Sequence, residues 1–184
     1  MNRKKILLIS GSLRKNSFNT QLAKEAYNIL KNKADVDLLI LNDVPILNQD
    51  EEFPAPEIIT KLRKQLDCSD GVWIFIPEYN KSYPPIVKNY FDWMSRPEEK
   101  GIVGRSKIID KKPITLSGAG GARKTSASRE SIMEVLDFIG MKVMRENQAG
   151  YHLPPEVFKE DVWKLKKEDI ELLKNQAEEF LKFI

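Results

Sequence analysis

The sequence predicts an α/β protein in which a doubly wound, five-stranded parallel sheet carries helices on both faces. Two observations support this fold class. Short, continuous apolar runs alternate along the chain with longer segments whose apolar residues recur at helical spacing. Continuous apolar runs are typical of strands buried on both faces, and regular strand–helix alternation favours parallel pairing with right-handed crossovers.

The first half of the chain contains three predicted strands, each followed by a predicted helix. The strands cover residues 4–10, 36–41 and 72–76. The first helix follows Asn16 or Ser17, the second covers about residues 57–67, and the third begins at Pro84 or Pro85. Asparagine and serine cap helix N-termini, and proline is tolerated in the first turn because its missing N–H has no partner there.

The second half continues the alternation with weaker strands. Residues 114–116 form the fourth predicted strand, and a glycine cluster leads from it into a helix that Gly140 ends. Residues 142–144 form a weak fifth strand, and a final helix lies around residues 170–181. Because no linker, repeat or low-complexity tract divides the chain, we predict one domain over residues 1–184.

Composition excludes several classes of protein. The 184 residues are 41% hydrophobic and 31% charged, an ordinary balance for a globular domain, with a formal net charge of +3. The longest apolar runs are far too short to cross a membrane. One cysteine permits neither an internal disulfide nor a cysteine-based metal site. We therefore expect a cytoplasmic protein without a metal, and no membrane or nucleic-acid partner.

The loop after the first strand combines donors that suit a phosphate group. Its sequence is Gly11-Ser12-Leu13-Arg14-Lys15-Asn16-Ser17-Phe18-Asn19-Thr20. Hydroxyl donors, a guanidinium and the N-terminus of a helix together bind phosphate well. The loop lacks the G-x-G-x-x-G pattern of dinucleotide sites, so we predict a monophosphate ester as ligand. The alternative is a polar turn in which Ser17 only caps the helix and Arg14 is solvated.

Two further loops are predicted at the same edge of the sheet, because ligands in such folds bind beyond the carboxyl ends of the strands. The loop Pro77-Glu78-Tyr79-Asn80-Lys81-Ser82-Tyr83-Pro84-Pro85 could present its backbone and a tyrosine ring to a flat heterocycle, or could be a simple tight turn. The segment Ser117-Gly118-Ala119-Gly120-Gly121-Ala122-Arg123-Lys124-Thr125 could gather N–H groups into an anion-binding nest. It departs from a nucleotide-binding P-loop because Arg123 stands where the second glycine is required.

Taken in order, these motifs resemble those of the NADPH-dependent FMN reductases, a flavodoxin-like family that includes quinone, chromate and azo-dye reductases. The resemblance rests on Gly11 to Arg14 with Ser17 and Asn19, on Pro77 to Asn80, and on Ser117 to Gly121. It spans about residues 4–150, and residues 152–166 carry no motif of the family. It implies a flavodoxin-like FMN-binding domain, FMN as cofactor, NADPH or NADH as reductant, and a homodimer or homotetramer.

The resemblance also implies where FMN binds. The phosphate would contact Ser12, Arg14, Ser17, Asn19 and Thr20. The ribityl chain and ring would lie along Pro77, Glu78, Tyr79 and Asn80, with Ser117, Gly118, Gly120 and Gly121 at the pyrimidine side. No catalytic side chain is predicted, because the flavin supplies the redox chemistry.

The implied activity is that of an FMN-dependent NAD(P)H oxidoreductase with ping-pong kinetics. Hydride would pass from the nicotinamide to the flavin and then to a flavin, quinone, azo or metal-oxyanion acceptor. Two alternatives stay open at this point: a flavodoxin-type electron carrier that does not itself oxidise NAD(P)H, and a non-catalytic module that binds a phosphorylated ligand. A carrier usually has a strongly acidic surface for its partners, which the slightly basic composition does not favour.

Overall fold

Six strands form one parallel sheet in the computed structural model, which describes residues 3–184. The strands are β1 (Lys5–Ser10), β2 (Asp35–Ile40), β3 (Gly71–Phe75), β4 (Pro113–Gly120), β5 (Lys142–Val143) and β6 (Ala149–His152). Their order is β2-β1-β3-β4-β5, and β6 also pairs with β4. None of the helices within residues 3–184 is both long and apolar enough to cross a membrane.

Helices cover both faces of this sheet. They are α1 (Phe18–Leu30), α2 (Glu57–Asp67), α3 (Pro85–Ser95), α4 (Ser126–Phe138), α5 (Val157–Glu160) and α6 (Lys167–Phe183). Residues of α1 and α6 pack with Ile6 and Leu8 of β1 on one face. Residues of α2, α3 and α4 pack with Leu7 and Ile9 on the other. Because both faces of β1 are buried, its apolar run is continuous, and the predicted α/β fold class is confirmed.

The fourth and fifth strands differ from the prediction. β4 does not end before the glycine cluster but continues to Gly120, because β6 pairs with its last four residues. The predicted fifth strand is reduced to the two residues of β5, and β6 pairs further along β4. Glycine and alanine have low β propensity, so the end of β4 depends on its hydrogen-bonded neighbour rather than on its own sequence.

The register of the sheet brings three connecting segments to one edge. Ser10 at the end of β1 pairs with Phe75 at the end of β3, and Phe75 pairs with Ser117 of β4. The loop after β1, the loop after β3 and the end of β4 therefore meet at the carboxyl edge, where doubly wound sheets bind ligands.

Candidate functional site

A cavity of about 240 Å³ opens at this edge. Its walls are formed by Ser12, Arg14, Ser17, Phe18, Asn19, Pro77, Glu78, Tyr79, Ala119, Gly120, Gly121, Leu153 and Phe158. The structure thus brings most of the predicted site residues together from three separate parts of the chain. The predicted residues that do not line the cavity are Thr20, Asn80, Ser117 and Gly118.

The N-terminus of α1 presents donors that the protein itself does not use. Ser17 is the N-cap, and its hydroxyl oxygen accepts the Thr20 amide at 3.4 Å. The amides of Phe18 and Asn19, in the first turn, donate to no acceptor within residues 3–184. Ser12 is only 4% exposed, and its oxygen accepts the Arg14 amide at 3.4 Å, which leaves its hydroxyl hydrogen free. Free N–H and O–H donors at a helix N-terminus form an anion site.

Arg14 supplies the positive charge beside these donors. Its guanidinium pairs with Asp161, and its carbon lies 5.2 Å from the centroid of the Phe18 ring. The same guanidinium donates to the Asn16 carbonyl at 3.4 Å. Arg14 therefore lines the cavity wall, with its side chain still partly exposed to solvent.

The side chain of Asn19 bonds to the end of β4, so its side-chain amide is not available to a ligand. Its Nδ2 donates to the Ala119 carbonyl at 3.1 Å, and its Oδ1 accepts the Ala119 amide at 2.8 Å. Thr20 is similarly engaged, because its hydroxyl bonds to that of Ser10 at 2.7 Å. Both side chains are therefore engaged within the protein, a use of polar residues that the sequence does not distinguish from phosphate binding.

The second loop is fixed by the N-terminus of α4. The Ser128 hydroxyl donates to the Pro77 carbonyl at 2.9 Å, and the Ser128 amide donates to the Glu78 carboxylate at 3.4 Å. Burial lowers the pKa of the adjacent Arg129, and the charge of Glu78 is among those that oppose this shift. Asn80 lies in a turn with a φ of 52°, away from the cavity. Tyr79, 48% exposed, lies at the rim.

The glycine cluster serves packing more than ligand approach. A Cβ on Gly118 would lie 2.2 Å from both the Ile76 carbonyl and the Thr125 hydroxyl, so only glycine fits there. At Gly121, which lines the cavity, a Cβ would meet nothing within 4 Å. Gly118 and Gly120 pair with β6, whereas the amides of Gly121 and Ala122 donate to no acceptor within residues 3–184. Free amides are therefore found only at the far end of the predicted nest.

Ser117 lies behind the cavity in a buried hydrogen-bond network. Its hydroxyl accepts the indole N–H of Trp73 at 3.0 Å and bonds to the side-chain oxygen of Gln176 at 2.8 Å. The side-chain Nε2 of Gln176 donates to the Thr115 hydroxyl and to the Leu116 carbonyl. This network ties α6 to the sheet, so the structure places Ser117 away from the cavity wall.

The apolar part of the cavity wall was not predicted from the sequence. Phe18, Ala119, Leu153 and Phe158 line the cavity. Phe18 and Ala119 lie within motifs already singled out, but neither is among the predicted site residues. No signal near Leu153 or Phe158 could have placed them, because the Leu153 amide donates to the Gly120 carbonyl and the Phe158 ring meets that of Phe18, both in distant parts of the chain.

A larger groove, of about 680 Å³, lies between β1, β2 and α2. It is lined by strand residues such as Leu7 and Leu39 and by the α2 residues Ile58, Lys61 and Leu62. It contains no helix N-terminus and none of the predicted donors. We therefore assign the candidate site to the smaller cavity.

The cavity suits FMN in its chemistry. The free donors around Ser12 and Ser17 fit a phosphate, Gly121 leaves room for a flat group, and Tyr79 and Phe158 provide aromatic surface. Its volume is below the roughly 300–1,000 Å³ of typical ligand pockets, so part of the ligand would remain at the surface. Surface exposure suits a group that must react with two different substrates.

The sequence profile of the NADPH-dependent FMN reductases matches residues 4–153. The chain belongs to this family. It is therefore an oxidoreductase that works with FMN and NAD(P)H, and the resemblance found in the sequence is confirmed. The binding roles of the individual residues stay predictions.

Relatives of this chain have quinone or general acceptor reductase activities in their names. A 2-hydroxy-1,4-benzoquinone reductase of Burkholderia sp is 31% identical over 143 residues, which cover 77% of this chain and 75% of the relative. The structure of FerB, a flavoenzyme NAD(P)H:(acceptor) oxidoreductase from Paracoccus denitrificans, superimposes with a TM-score of 0.84 at 27% identity. That match covers 97% of this chain and 96% of FerB.

A flavodoxin from the domain Archaea shares the fold. Its TM-score is 0.62 at 13% identity, over 97% of both chains. This likeness concerns the fold alone and confirms that the sheet is flavodoxin-like.

Proposed function

We propose that the cavity binds FMN with its phosphate at the N-terminus of α1, and that the protein reduces quinones at the expense of NAD(P)H. The observation that carries this proposal is the set of free donors beside Arg14, in a cavity that continues to the open edge at Gly121. A phosphate at one end and a flat ring at the other is the shape of FMN.

The residues of the first loop would bind and orient the phosphate. The hydroxyls of Ser12 and Ser17 and the amides of Phe18 and Asn19 donate hydrogen bonds, and Arg14 adds a charge-assisted bond. Charge-assisted hydrogen bonds contribute roughly twice as much as neutral ones, so Arg14 is the largest single contributor we expect. Asn19 acts through Ala119, by holding the β4 end beside the ring.

The remaining wall residues would orient the ring system. Pro77, Glu78 and Tyr79 border one side of the cavity, Gly120 and Gly121 border another, and Phe158 closes a third. Bound FMN supplies the chemistry, by accepting hydride from a nicotinamide and passing the electrons to a second substrate. The protein's contribution is position and access, and no side chain acts as nucleophile or general base.

Quinones are the acceptor class that we favour. The benzoquinone reductase named above supports this choice, as does the exposed aromatic rim of Tyr79 and Phe158, against which a flat quinone can stack. If one exposed ring face serves both substrates in turn, the kinetics are ping-pong. Of the basic residues between 96 and 124, Arg96 already pairs with the buried Glu52 at 2.6 Å. The remaining candidates for the 2′-phosphate of NADPH are Lys100, Arg105, Lys107, Arg123 and Lys124.

The proposal extends to assembly and location. It takes residues 1–184 as one FMN-binding domain, which the single sheet supports. It takes the protein as a cytoplasmic homodimer or homotetramer, and the exposed apolar side chains Ile102, Val103 and Phe138 offer a surface for self-association. Size-exclusion chromatography with light scattering measures the molar mass directly. A monomer at micromolar concentration would contradict the proposed homodimer or homotetramer.

Stopped-flow absorbance tests the function. Protein loaded with FMN is mixed with NADPH or NADH under anaerobic conditions, and then with 1,4-benzoquinone. We expect rapid loss of the oxidised flavin absorbance without any partner protein, followed by its rapid return. Slow bleaching with both nucleotides would instead support an electron carrier, and a protein that binds no FMN would support a non-catalytic module.

A further inference from the structure

The part of the chain that lacks any family motif lies against the cofactor cavity. The family match ends at residue 153, and the following segment, residues 154–163, contains α5. The side chain of Gln21, on α1, donates to the Asp161 carbonyl at 2.9 Å and accepts the Trp163 amide at 2.9 Å. The rings of Phe158 and Phe18 meet edge to face at 5.1 Å. The segment is therefore fastened to the first turn of α1.

Asp161 forms the charged part of this contact. Its carboxylate pairs with the Arg14 guanidinium and accepts the side-chain amide of Asn16 at 3.4 Å. The Arg14 side chain is 43% exposed and that of Asp161 is 35% exposed. Arg14 lines the cavity and Asp161 does not, so Asp161 contacts Arg14 from outside the cavity.

We propose that Asp161 is a positioning residue for cofactor binding, which holds the Arg14 guanidinium in place to bind the FMN phosphate. This inference rests on the proposed function. A guanidinium has five N–H donors, so one Nη can bond to Asp161 while others remain for a phosphate. Without Asp161, Arg14 keeps only its contacts with the Phe18 ring and the Asn16 carbonyl, and its long side chain samples many rotamers. The carboxylate therefore increases the preference of the site for FMN over riboflavin, which lacks the phosphate.

The opposite effect, repulsion between Asp161 and the phosphate, is expected to be weaker. The carboxylate is partly in water and lies outside the cavity wall, so solvent screens its charge from a ligand inside. The backbone bonds to Gln21 also keep the carboxylate beside Arg14, so that it does not move into the cavity.

The test compares two ligands and several variants of the full-length, flavin-free protein. FMN and riboflavin are titrated separately, and quenching of flavin fluorescence gives the two dissociation constants. Asp161→Asn removes the charge and keeps the backbone, because asparagine, like aspartate, tolerates the φ of 56° at this position. Asp137→Asn is the matched control, since Asp137 forms an exposed ion pair with Arg145 elsewhere on the surface.

We expect the wild type to prefer FMN to riboflavin by about tenfold to a hundredfold, as a charge-assisted phosphate contact gives. Asp161→Asn should reduce this preference about fivefold, with the riboflavin constant and the melting temperature unchanged. Asp137→Asn should leave the preference at the wild-type value. In an Arg14→Ala background, Asp161→Asn should have no further effect, because it acts through Arg14.

The outcomes separate this inference from the proposed function. If Arg14→Ala reduces the preference for FMN but Asp161→Asn leaves it unchanged or increases it, the phosphate site stands and the positioning role is wrong. If the wild type does not distinguish FMN from riboflavin, the phosphate site itself is wrong and the inference fails with it. A loss of preference for Asp161→Asn that persists in the Arg14→Ala background would also overturn it, because Asp161 would then act independently of Arg14.

Discussion

Two helix N-termini, those of α1 and α4, meet at the same edge of the sheet, and only that of α4 already contacts a carboxylate of the protein. Both follow a strand and a segment rich in serine or glycine. At α1, Ser17 caps the helix and the amides of Phe18 and Asn19 have no acceptor within the described chain. At α4, the carboxylate of Glu78 already accepts the Ser128 amide. The protein's own anion therefore occupies the position that a phosphate would take.

The difference shows that an anion site depends on what the neighbouring elements leave free. The segment before α4 comes closer in composition to a phosphate-binding loop than the segment before α1. Gly118 and Gly120, however, are paired with β6, and Gly118 is packed against Ile76 and Thr125. The loop before α1 has no strand partner beyond Gly11, which leaves the hydroxyls of Ser12 and Ser17 free to line the cavity.

The largest effect that tests this comparison is expected at the glycines. Gly118→Ala should lower the free energy of unfolding by about 3 kcal/mol, because the new methyl group overlaps a backbone carbonyl. Gly121→Ala, three residues later, should change it by less than about 0.5 kcal/mol, since open space surrounds that position. Urea unfolding of the flavin-free proteins measures both. If both variants lost the same free energy of unfolding, Gly118 would not be more tightly packed than Gly121.

The next effect concerns the open helix end. Arg14→Ala should weaken FMN binding by about 1.5–3 kcal/mol, the range for a hydrogen bond to a charged group. Its exposed pair with Asp161 contributes little to stability, so the urea midpoint should hardly move. Fluorescence titration gives the FMN constant. An unchanged constant would place the phosphate elsewhere.

Ser117 in β4 and Ser12 in the loop before α1 allow the same substitution to be compared in a packed network and in the predicted phosphate site. Ser117→Ala should lower the free energy of unfolding by about 2 kcal/mol, because Trp73 and Gln176 each lose a buried partner. It should leave the FMN constant unchanged. Ser12→Ala should do the reverse, with binding weaker by about 1 kcal/mol and little change in stability. The prediction fails if Ser117→Ala weakens FMN binding as much as Ser12→Ala does.

The smallest effect is expected at the closed helix end. Glu78→Gln removes the negative charge at the N-terminus of α4 and should destabilise the protein by about 0.5 kcal/mol at low salt. Glu130→Gln, an exposed position further along α4, controls for the change in net charge. Unfolding at low and high salt distinguishes the two, because salt screens the interaction with the helix dipole. Equal behaviour of both variants would show that Glu78 does not act as a cap.

Much of the fold could be predicted from periodicity, and the failures have a common cause. The apolar run of β1 and the cap at Ser17 are local signals, and both are found where they were expected. The extension of β4 to Gly120 was missed, because it depends on pairing with β6, some thirty residues later. Asn19 was assigned to the phosphate but contacts Ala119, which no local pattern indicates.

By itself, the sequence determined the α/β fold class, the family, and the three segments that meet at the cavity. These follow from hydrophobic spacing and from motifs read along the chain, which are local properties. Only the tertiary structure decided which polar groups remain free at that edge, and that residues 154–163 lie against Arg14. The physical reason is that a donor binds a ligand only if no other part of the protein already satisfies it. Asn19 and Arg14, for example, have their partners Ala119 and Asp161 a hundred or more positions away.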